Sequence, residues 1–74
     1  MPKRYSAKQI IKALKKIGFV KISQKGSHIK MKGLIEGKLQ TVIVPDHKQI
    51  AVGTFSSIVR QSGISKRTLE NSIK

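Results

Sequence analysis

The chain contains no cysteine and no tryptophan. Without cysteine there are no disulfides to staple a small fold and no thiolates to hold zinc, and the composition fits a reducing, cytoplasmic setting. Long hydrophobic runs are missing too. The longest purely apolar stretches cover three residues, as in Val42-Ile43-Val44, far short of the ~20 residues a membrane-spanning helix needs. A secretory signal or membrane contact is therefore not expected, and the chain reads as soluble. Aromatic residues are scarce, and Tyr5, Phe19 and Phe55 each read as core or staple residues, which argues against recognition of bases by stacking. No glycine-rich nucleotide loop is present, because Lys32-Gly33 to Gly37-Lys38 lacks the required spacing and does not join a strand to a helix. No internal repeat or low-complexity stretch occurs. Acidic side chains are the scarcest charged class: Glu36, Asp46 and Glu70 stand against sixteen Lys and Arg.

That imbalance gives a formal charge of +13 on 74 residues. Charge of one sign at this density repels itself unless a polyanion lies nearby, so nucleic acid or an acidic protein is the natural counterpart, with a merely solvated basic surface as the plainer alternative. A membrane surface fits less well, since the basic residues are scattered instead of lining one amphipathic helix. The length implies a single domain over residues 1–74, because so short a chain buries only about 60% of its unfolded surface. A core of that size supplies only about 3–5 kcal/mol.

The segment Tyr5-Ser6-Ala7-Lys8-Gln9-Ile10 predicts a helix start, with Ser6 and Gln9 placed for a reciprocal capping box and Tyr5 placed to staple onto Ile10. Ile10, Ile11, Leu14 and Ile17 recur at helical spacing, lysines fill the other positions, and Gly18 ends the helix. Phe19 to Gln24 reads as a half-buried strand with Val20 and Ile22 on one face and Lys21 and Ser23 on the other. After the turn Lys25-Gly26-Ser27, strict alternation from His28 to Lys32 marks a second strand. Gly33 to Gly37 reads as a glycine-bounded loop in which Leu34 and Ile35 either cap an edge or meet a partner. Leu39 to Val44 forms the third strand, ended by Pro45. A polar connection, Asp46 to Gly53, then leads to a second helix with Thr54 as its cap and Phe55, Ile58 and Val59 buried, ending at Gly63. Ser65 caps a short third helix carrying Leu69 and Ile73.

The implied fold class is α+β in the order α-β-β-β-α with a short C-terminal helix. Both main helices need apolar cover, so they pack on one face of a three-stranded antiparallel sheet and leave the other open. Alternation places His28, Lys30 and Lys32 on that open face, with Lys21 beside them.

The run Gln24-Lys25-Gly26-Ser27-His28 joins a tight turn to this face. Gly26 permits a backbone that aims amides outward, which with Lys25 makes a phosphate-binding concavity, and the imidazole of His28 beside it can accept or donate a proton. RNA carries its own nucleophile, the 2′-hydroxyl, so cleavage needs in-line positioning, a proton acceptor and positive charge, with no metal. By spacing alone, the plainer reading of His28 is an ordinary exposed strand residue. Ser27 reads as a turn residue, since no acidic residue lies near enough in sequence to complete a triad. His47, after Pro45-Asp46, is either a loop residue or a second proton donor or phosphate contact. Lys48 reads as a phosphate contact or solvated surface. His28, His47 and Asp46 are too few and too separated to predict a metal site.

Taken together, these segments resemble the HicA toxin family of bacterial toxin–antitoxin systems from about Tyr5 to Ile64. The most specific stretches are Tyr5 to Ile11, Gly18-Phe19, Gln24 to His28, Val42 to His47, and Gly53-Thr54-Phe55 through Gln61 to Ile64. The resemblance implies a fold similar to the double-stranded-RNA-binding domain, metal-independent cleavage of mRNA as an mRNA interferase, and inhibition by a HicB-type antitoxin. It implies His28 as the catalytic residue; the reading of the residues themselves adds Lys25, Gly26, Ser27, Lys30, Lys32, His47 and Lys48 as the expected RNA and phosphate contacts. A non-catalytic RNA-binding module of the same fold is the alternative. The loop Gly33 to Gly37 and the extended tail depart from the commoner family pattern.

Overall fold

The computed structural model describes residues 4–73; the ends of the expected domain, residues 1–3 and 74, lie outside the described residues. The element order is α1 (Ala7–Ile17), β1 (Val20–Lys25), β2 (His28–Ile35), β3 (Lys38–Pro45), α2 (Val52–Ser62) and α3 (Lys66–Ile73). This is the expected α+β arrangement with an open, antiparallel sheet in the order β1-β2-β3.

α1 begins as its sequence predicts. The Ser6 hydroxyl accepts from the Gln9 amide at 3.2 Å, and the Gln9 side chain accepts from the Ser6 amide at 2.9 Å. Its C-terminal turn closes where the Gly18 amide donates to the Leu14 and Lys15 carbonyls. Ala7, Ile10, Ala13 and Leu14 form the buried face, while Ile11 and Ile17 pack only at its margin. Tyr5 is buried as expected, and its ring lies 5.4 Å from that of Phe55, tying the start of α1 to α2. α3 packs on α1 and is capped by Ser65, whose hydroxyl accepts from the Thr68 amide at 3.1 Å. Leu69 is fully buried, and the Tyr5 hydroxyl donates to Glu70 at 3.3 Å.

The sheet departs from the sequence reading in two places. β1 is exposed along its whole length, not half-buried, because the helices pack over β3 and each other and leave this edge of the sheet uncovered. Phe19, just before β1, is the residue that turns inward. Second, Gly33 to Gly37 is not a loop. β2 continues to Ile35 and β3 starts at Lys38, so the connection is the two-residue turn Glu36-Gly37 with φ of 52° and 80°. Positive φ at both central positions is the type I′ geometry that matches the twist of paired strands. Gly33 sits inside β2 because the Phe19 ring lies on it: a Cβ there would come within 2.8 Å of the ring.

β3 is covered by α2. Gln61 accepts from the Ile43 amide at 2.9 Å, filling a backbone donor on the outer edge of the sheet, and is itself held by Ser57 at 3.1 Å. The start of α2 also differs from expectation. The helix begins at Val52 with Ala51 at its N-cap and no side-chain cap, which puts Thr54 inside the first turn. The preceding connection is less polar than it reads: Ile50 is buried, and its amide donates to the Tyr5 carbonyl at 2.7 Å. That bond and one from the Ala7 amide to the His47 carbonyl, 2.9 Å, lay residues 47–50 along the start of α1.

Candidate functional site

Side chains directly opposite in an antiparallel pair share a face, so the register assigns the two surfaces of the sheet. Ile29, Met31, Val42 and Val44 are buried under the helices. His28, Lys30, Lys32 and Leu34 therefore project from the other surface, opposite Pro45, Ile43, Thr41 and Leu39 of β3 in turn. The alternation that the sequence displays in this strand is realised, and His28 and Lys30 are exposed while Lys32 is half-buried.

His28 is the first residue of β2, with Lys25 of β1 on one side and Pro45 of β3 on the other. The turn between β1 and β2 is Gly26-Ser27, and Gly26 has φ of 59° while Ser27 does not have positive φ. Positive φ at the first position alone is the type II′ pattern, which glycine adopts without steric cost. The Gly26 carbonyl accepts from the Gln24 side chain at 3.1 Å. The Ser27 carbonyl accepts from the Asp46 amide at 2.6 Å, pinning the connection after β3 to the turn before β2. His47 donates its amide to the Pro45 carbonyl at 2.9 Å, and His47 and Lys48 are exposed. Lys25, Gly26, Ser27, His28, His47 and Lys48 thus gather at one end of the sheet, with Lys30 and Lys32 leading away along the open surface.

Lys21 is not part of this group. A bulge between Lys21 and Ser23 adds one residue to β1, and an added residue swaps the faces of the rest of the strand. Lys21 lies opposite Met31, on the helix side, and its ammonium donates to Gln24 at 2.9 Å. The neighbours of Lys30 and His28 on the open surface are Ser23 and Lys25. Sequence reasoning also missed the apolar members of this surface. Val20 lies opposite Lys32, Ile22 is two residues further along, and both are about half exposed. At the far end Leu34 and Leu39 face each other, 68% and 62% exposed. The oddity of an apolar residue in a supposed loop was the one signal for them.

Of the three carboxylates in the chain, Glu36 lies in the turn at the opposite end of β2 and Glu70 accepts from Tyr5, which leaves Asp46 as the one at the His28 end. The surface around His28 is consequently dominated by lysine. Among the described residues no three His, Cys, Asp or Glu side chains come together in a metal-binding group, and no helix is long and apolar enough to cross a membrane. The phenol of Tyr5, remote from this surface, is pushed above the ordinary tyrosine value by burial and further by the Glu70 carboxylate beside it.

An exposed imidazole flanked by lysines, at the lip of an uncovered sheet, offers a proton donor or acceptor beside positive charge. The family model described as HicA toxin of bacterial toxin–antitoxin matches residues 7–64, well over half of the chain, and so spans α1, the whole sheet and α2. No individual curated protein matches the chain.

Proposed function

The chain belongs to the HicA toxin family of bacterial toxin–antitoxin systems, and on that footing we propose that it is a metal-independent endoribonuclease that cleaves mRNA with His28 as general acid or base. The observation that carries the reading is the exposure of His28 on an uncovered sheet surface between Lys25 and the strand that leads to His47. The sugar–phosphate chain lies across the open surface, where Lys30 and Lys32 contact phosphates and Lys25 with the Gly26-Ser27 turn holds the scissile one. His47 and Lys48 extend the same footprint from the connection after β3. The 2′ oxygen attacks the adjacent phosphorus, the bond from phosphorus to the 5′ oxygen breaks, and one proton passes from the 2′-hydroxyl to the departing oxygen. His28 takes or supplies that proton, which contributes about 10²–10⁴ in rate. The products are a 2′,3′-cyclic phosphate and a 5′-hydroxyl, and DNA, lacking the 2′-hydroxyl, is not cut.

An antitoxin of the HicB type silences the toxin by covering this surface, and mRNA places the activity in the cytoplasm. The test compares the parent with His28→Ala on defined RNA in the presence of a chelator. The parent is expected to cleave and the variant to bind RNA without cleaving it; equal cleavage by both refutes the assignment. Binding with intact RNA in both would instead establish a non-catalytic RNA-binding module.

A further inference from the structure

Of the five large hydrophobic side chains left exposed among the described residues, four lie on β strands: Val20, Ile22, Leu34 and Leu39. The register puts Val20, Leu34 and Leu39 on the open surface, and period two along β1 puts Ile22 with Val20 ahead of the bulge. Leu34 is six residues from His28 on the same strand, about 20 Å at ~3.3 Å per residue. Leu34 and Leu39 thus form a separate end of the surface that carries the histidine, with Lys30 and Lys32 between the two, while Val20 and Ile22 flank those lysines from β1.

RNA gives these side chains no use. Recognition of single strands by stacking needs aromatic platforms, and all three aromatic residues of the chain are buried. A second copy of the chain is an equally poor occupant, since each copy brings a charge of +13 to the contact. Pairing edge to edge along β1 is opposed by its bulge and by Lys21 and Lys25, the usual means of blunting a free strand. What fits is a protein that lies across the surface, with aliphatic side chains for the leucines and carboxylates for the lysines.

We propose that Val20, Ile22, Leu34 and Leu39 form the anchor by which an acidic, amphipathic segment of the antitoxin docks. The proposal rests on the reading of this chain as a toxin that an antitoxin holds. The segment sets alternate aliphatic side chains on the apolar end and carboxylates on Lys30 and Lys32, so it displaces RNA from the same ammonium groups without having to touch His28. Apolar contact at the centre of the patch supplies affinity, and the charges supply orientation and encounter rate.

The decisive variant is Leu34→Lys combined with Leu39→Lys, which removes apolar surface while adding positive charge. The probe is a full-length cognate antitoxin of the HicB type, with affinity measured by calorimetry at moderate and high salt. The double variant is expected to bind on the order of 100-fold more weakly, as for loss of a central anchor pair, with an unchanged melting temperature and undiminished RNA cleavage. His28→Ala is expected to show the reverse, lost cleavage with antitoxin affinity retained. Undiminished or tighter antitoxin binding by the double variant, or a parallel loss of cleavage, overturns the proposal. A parent that binds the antitoxin through the leucines but cuts no RNA overturns the nuclease reading and leaves the docking surface standing.

Discussion

Gly33→Ala probes the close approach of the Phe19 ring, just before β1, to the backbone of β2. The added Cβ would sit 2.8, 2.9 and 3.0 Å from Cγ, Cδ2 and Cδ1 of Phe19, all closer than van der Waals contact allows. The ring cannot simply swing away, because Phe19 is buried at 1% exposure. φ at Gly33 is not positive, so the backbone accepts alanine and the unfolded chain even loses a little entropy, a gain of about 0.4–1 kcal/mol. Overpacking of a filled site costs about 1–3 kcal/mol, and steric cost therefore wins. The expected net loss of about 1–2 kcal/mol lowers the melting temperature by roughly 4–8 °C per kcal/mol in a domain of this size. Thermal unfolding followed by circular dichroism measures it. Phe19→Leu should relieve the clash, so the double variant is expected to be less destabilised than the sum of the single ones, by about 0.5–3 kcal/mol for residues in contact. His28 lies at the other end of β2, and cleavage well below the melting temperature should persist. A Gly33→Ala chain as stable as the parent, or losses that add without coupling, would refute this account of the glycine.

The caps, the phenol and the lysines carry further expectations. Ala51→Ser supplies the side-chain acceptor that α2 lacks and should raise stability by about 0.5–2 kcal/mol in the same unfolding assay. Tyr5 is the only tyrosine, so an ultraviolet titration of phenolate should report its ionisation directly, above the ordinary 10.0 because burial and Glu70 both favour the neutral form. Linkage sets the sign: the folded phenol holds its proton more tightly than the unfolded one, so this stability is fully present below pH 10.0 and is lost as pH rises through the folded value. The stability of the parent relative to Tyr5→Phe should accordingly decline from that pH upward, and a constant difference contradicts the assignment. Lys30→Ala removes one ammonium from the open surface; its RNA affinity should fall, with the slope of log affinity against log salt shallower by about 0.7 for a single-stranded contact.

Much of this architecture is written in short-range signals. The pairing of Ser6 with Gln9, the cap at Ser65, the glycines after α1 and α2, and the strict alternation from His28 to Lys32 each act within a few residues, where side chains and backbone of the same segment meet. Alternation was enough to place His28, Lys30 and Lys32 together on one surface, because period two holds along any strand whatever its neighbours. The turn at Glu36-Gly37 was not legible, since glutamate is not a residue that advertises positive φ. Neither was the cap of α2: Ala51 has no side-chain acceptor, and Thr54, which does, lies a full turn too late.

What the chain's own order determined is therefore the helices, the three strands, and a basic surface with one imidazole at its lip. Tertiary structure alone decided which strand would be the exposed edge, that the bulge would send Lys21 to the other side of the sheet, that Gly33 would admit the Phe19 ring, and that Leu34 and Leu39 would stand paired in the open. The physical reason is range. Caps and alternation are satisfied inside a segment, whereas the face a residue shows depends on the register it shares with a partner strand and on where the helices come to rest.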